Sequence, residues 1–338
     1  MAFPLDQTVS RLGQQNATGD ARALFLKLYA GEVLTAFEEK NIFMGLHRTR
    51  TISNGKSAQF PLTGSATAAY HTAGQLIEGA AIKAGERTVT VDDLLLSAQF
   101  ISNVDEAMNH YDVRSIYSKE AGNALANTCD KNVARVIAKA ASIDNGTKAA
   151  AQFGTAFADE VYTSNVTIGA GSAADVVSGG KIAQSIYDAL KEFDIKDVTG
   201  EKVCVLPPAQ YYALFGANSD VNNLAYMNKD VGGSGSISTG AAPTIGGVKI
   251  LMSNHIPTTN ETAANPPSGT TNTGAYNADY SKVRGLIFSS DAAATVKLLD
   301  LGVESEYQID RQGTLMVSKY AMGHNVLRPA CAISLLSA

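Results

Sequence analysis

The chain has 338 residues, a net charge of −5, 17% charged residues and no Trp. That length is enough for a sizeable core and more than one domain. The acidic balance excludes a broad basic surface for gripping nucleic acid, and three scattered cysteines (Cys129, Cys204 and Cys331) exclude a disulfide framework or a paired-cysteine metal site.

The first 18 or so residues are polar and aperiodic and predict a flexible or partner-ordered arm. They hold no apolar core of a secretory signal, and no apolar run reaches membrane-spanning length. Asp20 caps a predicted amphipathic helix to about Lys40, with Leu24, Phe25, Leu28, Val33 and Phe37 on one face and Gly31 marking a bend.

From His47 to Asn103 the pattern becomes extended. HRTRTISNGKSAQFPLTG alternates around a Ser53-Asn54-Gly55 turn signal, and ERTVTVDDLLLSAQFI is a second strand-like run. Between them, Ser65 to Gly85 is small, Gly-rich and poor in large apolar residues. Two extended arms with such a tip predict a long hairpin. A two-stranded hairpin alone is marginal in water, so packing against a neighbouring subunit is expected. Arg48, Arg50, Lys56, Lys83 and Arg87 put basic charge on it. These are candidate inter-subunit contacts, partners for carboxylates on another copy. Each exposed pair contributes roughly 0–1 kcal/mol, and repetition sets register.

The stretch from Asp112 to Ala141 is the longest periodic element. Val113, Ile116, Tyr117, Ala121, Ala124, Leu125, Cys129, Val133, Val136, Ile137 and Ala140 recur at threes and fours without a proline. Asp112 stands at the N-cap and Gly122 is the weak point. A helix of this length is a rod of roughly 45 Å, long enough to brace other elements.

Ile143 to Gly180 reads as a small-residue connector with one strand pair. Lys181 to Phe193 is an amphipathic helix, Lys202 to Leu206 a buried strand stopped by Pro207-Pro208, and AQYYALFG a helix. Val248 to Pro257 and RGLIFSS are further strands, while 218–246 and 260–278 are polar loops. Alternating strands and helices predict an α/β or α+β unit over 181–295. The tail from Val296 carries several β runs and supplies strands to the domain braced by the long helix.

Chemical motifs fail one by one. Gly55-Lys56-Ser57 resembles the end of a phosphate loop, but Arg50 stands where its leading glycine belongs. Gly169-Ala170-Gly171 lacks the leading strand and acidic residue of a dinucleotide site. His47, His71, His110, His255 and His324 lie in different segments and read as structural or surface residues. Asp92-Asp93 and Glu38-Glu39 are adjacent carboxylates, expected on solvated surface, and neighbours on a strand point to opposite faces. No catalytic, cofactor or metal residues are expected.

Four runs carry a resemblance: Gly31-Glu-Val-Leu-Thr-Ala-Phe37, Gly55-Lys-Ser-Ala-Gln-Phe-Pro61, Asp105-Glu-Ala-Met-Asn-His-Tyr-Asp-Val-Arg-Ser115, and Lys319-Tyr-Ala-Met-Gly-His324 with Leu327-Arg-Pro329. In this order they resemble the major capsid protein of short-tailed, T-odd-type bacteriophages (autographiviruses). The resemblance implies an α+β chain of the Hong Kong 97-type phage capsid fold. Its parts are an N-terminal arm (1–46), an extended E-loop (47–103), a peripheral domain with a spine helix (104–180 and 296–338; helix 112–141) and an axial domain (181–295). It further implies a homo-oligomer of hexamers and pentamers that closes an icosahedral shell around double-stranded DNA without sequence specificity. Scaffolding and portal proteins are the implied partners, with assembly in the host cytoplasm and no membrane. A cellular nanocompartment shell of the same fold, or a cytosolic α/β enzyme built on 181–295, are the alternatives.

Overall fold

The structure is a computed structural model that describes residues 33, 35–37, 41–64, 66, 68–77, 79, 81–82, 84–102, 114–143, 165–214, 244–261 and 275–337. The N-terminal arm, most of the helix expected after Asp20, the Asp112 cap, Lys83, His110 and most of the two polar loops lie outside the described residues.

Among the described residues three sheets carry the strands. The first has four, β1 (Arg48–Thr51), β4 (Leu95–Ser102), β9 (Ala293–Gln308) and β10 (Gly313–Val326), in the order β1-β9-β10-β4. The second has five, β5 (Asn165–Thr167), β6 (Lys202–Leu206), β7 (Lys249–Met252), β8 (Val283–Ser289) and β11 (Ala332–Leu336), in the order β5-β11-β8-β6-β7. The third is the two-stranded ribbon of β2 (Ser57–Thr63) and β3 (Ala84–Thr90), antiparallel from Ser57 opposite Thr90 to Thr63 opposite Ala84.

The longest helix, α1 (Arg114–Ala141), has the predicted periodicity and ends at the predicted residue. Its N-terminal half places Ala121, Leu125 and Cys129 against Ile101, Met316, Tyr320 and Met322 of the four-stranded sheet. Its C-terminal half places Val133, Val136, Ile137 and Ala140 in the large core with Val203, Val205, Leu286 and Phe288 of the five-stranded sheet. One helix therefore underlies both sheets, and a rod is the economical way to couple them. Gly122 is more than a weak point: a Cβ there would stand 2.7 Å from Val33 O and 2.9 Å from the Ala36 Cβ. The residue trades about 1 kcal/mol of helix propensity for close contact with the preceding segment.

The five-stranded sheet is buried on both faces, which is why KVCVL is apolar without alternation. Val203 and Val205 face α1. Cys204 and Leu206 face α3 (Gly179–Ile195) through Ile182, Ile186 and Phe193. Two short helices, α2 (Ala173–Val176) and α4 (Pro208–Ala213), flank this layer; Pro208 starts α4, where a missing N–H costs nothing.

Strand pairing departs from the sequence reading in two places. Only the inner parts of the predicted arms pair with one another. The Ser53–Gly55 turn, with Gly55 at φ +103°, breaks the first arm, and β1 runs parallel to β9 from Arg48 opposite Ala294. Residues 91–94 break the second arm, and β4 runs antiparallel to β10 from Ser102 opposite Gly313. For β4 the long strand offers an apolar partner, and burial of Phe100 and Ile101 outweighs extending a solvated ribbon; the exposed β1 gains only ladder hydrogen bonds along β9. The second departure is the last strand. β11 leaves the four-stranded sheet's side after a 3₁₀ turn at Pro329–Cys331 and pairs with β8 and β5. Its Ile333 and Leu335 fill the core beside α3.

Candidate inter-subunit surface at the hairpin

The β2–β3 ribbon is the least self-contained part of the described chain, and its root and tip differ. At the root, β3 crosses over β10. A Cβ on Gly323 would lie 2.0 Å from Thr90 O and 2.7 Å from Val91 Cα, so only glycine admits the crossing. Arg87 clasps the same place: its Nε donates to Val326 O at 3.2 Å and its Nη2 to Asn325 Oδ1 at 3.0 Å. The Asn325 carboxamide donates back to Thr88 O at 3.3 Å. Burial pulls the Arg87 guanidinium below its ordinary range. The hairpin thus finds a partner within its own chain at the root, which the sequence reading did not foresee.

The tip departs from the expectation of a stretch poor in large apolar residues. Tyr70, Leu76, Ile77 and Ile82 are 105%, 85%, 78% and 57% exposed. Four large apolar side chains at the end of a clamped ribbon are an unusual surface, since exposed apolar clusters mark interaction sites. Each gains roughly 1.5–3 kcal/mol when fully covered.

The candidate basic residues divide accordingly. Arg48, at the base, pairs with Asp291 at 2.5 Å yet stays 59% exposed. Arg50 donates from Nη1 to Gln59 O at 3.0 Å across the turn. Lys56 is exposed, and its carbonyl accepts from Val91 N at 2.8 Å. Arg87 is engaged within the chain, and Lys83 lies outside the described residues. A cleft of about 260 Å³ between Arg48, Phe60, Pro61, Leu62 and Arg328 lies at the base of the ribbon.

Beneath the root runs a buried polar network that the spacing in sequence conceals. Tyr276 donates its hydroxyl to Asp92 Oδ2. The Tyr276 hydroxyl oxygen in turn accepts from His324 N at 3.3 Å. His324 Nδ1 meets Thr295 Oγ1 at 2.7 Å, and that hydroxyl meets His47 Nε2 at 2.5 Å. His47 Nδ1 reaches Phe43 O at 2.8 Å. Two histidines 277 positions apart therefore converge, and burial keeps both neutral: His47 is lowered and His324 pushed down to about 3. Asp92 departs from the solvated-surface expectation. In the irregular segment between β3 and β4, Asp93 is exposed while Asp92 is half-buried against Tyr276, and burial raises the Asp92 carboxyl to about 6, with Tyr276 opposing and Asp93 adding to the shift.

A second junction centres on Asp130, fully buried in α1. Its carboxylate accepts from Ile42 N at 2.9 Å and Phe43 N at 3.3 Å, and faces His255 Nδ1 at 3.3 Å. Nothing in a helical heptad singles out this aspartate as internal; its partners lie 88, 87 and 125 positions away. Among the described residues no group of three or more His, Cys, Asp or Glu is arranged to hold a metal ion. These contacts hold segments together.

Comparison with known proteins agrees. The major capsid protein of Escherichia phage T7 is 32% identical over 332 residues, covering 94% of this chain and 92% of that protein. The capsid subunit of cyanophage P-SCSP1u is 41% identical, with a TM-score of 0.73 over 98% of this chain and 99% of that one. The mature capsid subunit of bacteriophage PhiM1, at 15% identity and a TM-score of 0.64 over 99% of this chain and 92% of that one, shares the fold. The fold is the Hong Kong 97-type capsid fold in an α+β chain, and the role is that of a structural shell subunit rather than a compartment protein. A family model described as Gp10A-like major capsid protein matches residues 59–336, and this chain belongs to that family.

Proposed function

We propose that the chain assembles as hexamers and pentamers into an icosahedral shell that encloses double-stranded DNA without reading its sequence. The hairpin is the E-loop of that shell and α1 its spine helix. Residues 1–46 act as the arm, 104–180 with 296–338 as the peripheral domain, and 181–295 as the axial domain, completed by β11. Scaffolding and portal proteins direct assembly in the host cytoplasm.

The observation that carries this reading is the apolar tip on a clamped root. The Gly323 crossing and the Arg87 clasp aim the ribbon, while Tyr70, Leu76 and Ile77 are left uncovered. A neighbouring copy is the occupant that a closed shell supplies at every position. Arg48, Arg50, Lys56 and Lys83 then meet carboxylates of that neighbour, and Arg87 orients the ribbon from within.

Deletion of residues 64–85 tests it. The truncated chain is expected to fold, with the circular dichroism of the parent, and to fail to close shells by negative-stain microscopy and sedimentation. Shells of normal size from the truncated chain would overturn the inter-subunit role of the tip.

A further inference from the structure

Shell building uses the hairpin's tip and clasp, but it leaves unexplained why a half-buried carboxyl stands at the root. Asp92 lies two residues past the end of β3. Its amide donates to Met322 O at 3.3 Å, which docks the root on β10, and its carboxyl takes the Tyr276 hydroxyl. The Tyr276 carbonyl accepts from Tyr280 OH at 2.6 Å, and that hydroxyl lies 3.2 Å from Arg135 O in α1. A hydrogen-bonded path therefore runs from the hairpin root to the helix beneath both sheets.

The groups around Asp92 come from three directions. Asp93 stands beside it on the same segment with a like charge. Tyr276 arrives from the segment before β8, and Tyr320 and His324 from β10. Behind them lie Cys129 and Asp130 of α1, with His47 and Lys297. Burial holds both phenols well above their ordinary range and His324 far below its own. Between pH 5 and 8 Tyr276, Tyr320 and His324 keep one protonation state.

We propose that Asp92 is a protonation lock on the hairpin root: the neutral carboxyl keeps the root docked on β10 and Tyr276, and loss of its proton to water loosens it. The physical reason is desolvation. A docked carboxylate has partly left water and stands next to Asp93, whereas an undocked one is solvated. The Tyr276 hydroxyl favours the ionised form and offsets part of this cost, but burial is the larger effect. A carboxyl that titrates at about 6 when docked and near its ordinary value of 3.8 when undocked makes docking strongest at low pH. That advantage is lost as pH rises through 6. Linkage between the two values changes the docking equilibrium roughly tenfold between pH 5 and pH 8. The lock gives the ribbon freedom of angle at neutral pH, where neighbours rather than its own chain would hold it.

Hydrogen exchange of the full-length chain, corrected for the intrinsic rate at each pH, tests this at the residue-92 amide. Wild type is expected to lose about tenfold protection from pH 5 to pH 8. Asp92→Asn, which keeps an acceptor for the phenol, is expected to be flat across that range. Tyr276→Phe is expected to keep the dependence and move its midpoint to higher pH, because the bond that favours the carboxylate is gone. A wild-type chain with no pH dependence at this amide overturns the proposal, as does an Asp92→Asn chain that retains it. The measurement is made on the subunit, so its outcome is independent of whether shells close.

Discussion

Asp130 joins the segment at Ile42 and Phe43, the middle of α1 and the loop that follows β7, and replacing it with Ala should undo that junction. The carboxylate serves Ile42 N at 2.9 Å, Phe43 N at 3.3 Å and His255 Nδ1 at 3.3 Å while fully buried. Alanine leaves both amides without their acceptor, and each orphaned buried donor costs about 1–3 kcal/mol. His255 is 18% exposed on its side chain and can turn toward water, so its contribution is small. The expected loss for Asp130→Ala is roughly 3–5 kcal/mol. Asp130→Asn retains one oxygen, serves one amide and sets its own N–H against the other, so about half that loss is expected. His255→Ala should cost about 0–1 kcal/mol. Urea unfolding of the full-length chain, followed by circular dichroism, should give the order Asp130→Ala, Asp130→Asn, His255→Ala, wild type from least to most stable. An Asp130→Ala chain within 1 kcal/mol of wild type, or no less stable than His255→Ala, refutes the reasoning.

Two further outcomes follow from the same geometry. Gly323→Ala puts a methyl 2.0 Å from Thr90 O, so the hairpin root must shift; a loss of about 1–3 kcal/mol and faster exchange of the residue-92 amide are expected. The buried histidines set an acid limit of opposite sign to Asp92. A His whose pKa is lowered on folding contributes its full stability above its unfolded value of 6.5 and loses it as pH falls toward its folded value. His324, at about 3, should therefore cost about 2 kcal/mol at pH 5 relative to neutral. Melting temperatures of wild type and His324→Asn between pH 5 and 7.5 check this. The variant should melt lower at pH 7.5 and show a shallower decline with acid, and parallel declines would refute the assignment.

Much of the architecture was legible because it rests on local periodicity. The threes and fours between Ala121 and Ala140 specify α1, the unbroken apolar run of Lys202–Leu206 specifies a strand covered on both faces, and the turn at Ser53–Gly55 is where the chain turns. Short motifs in order carried the family resemblance. The site was less legible. Arg87 reads as a surface cation on an alternating strand, and only the crossing of β10 brings Asn325 and Val326 under it. His47 and His324 read as unrelated, since Thr295, which links them, carries no signal of its own. Asp92 offered one clue, its place in an alternating run beside an outward Asp93, but alternation does not say which of the two turns inward.

By itself the sequence determined the long helix, the buried strand over Lys202–Leu206 and the turn at Ser53–Gly55, and that its longest rod must brace something. Those properties depend on spacing within one element, and hydrophobic period and turn chemistry are local. Tertiary structure alone decided that β1 and β4 leave the hairpin for the long strands, that β11 completes the other sheet, and that Gly323 is the seat of the hairpin root. It also placed Asp92, Asp130 and the two histidines inside. Partner choice among strands and the burial of a lone polar side chain depend on which surfaces meet across tens to hundreds of positions. That is settled by the summed burial of whole layers rather than by any neighbour in sequence.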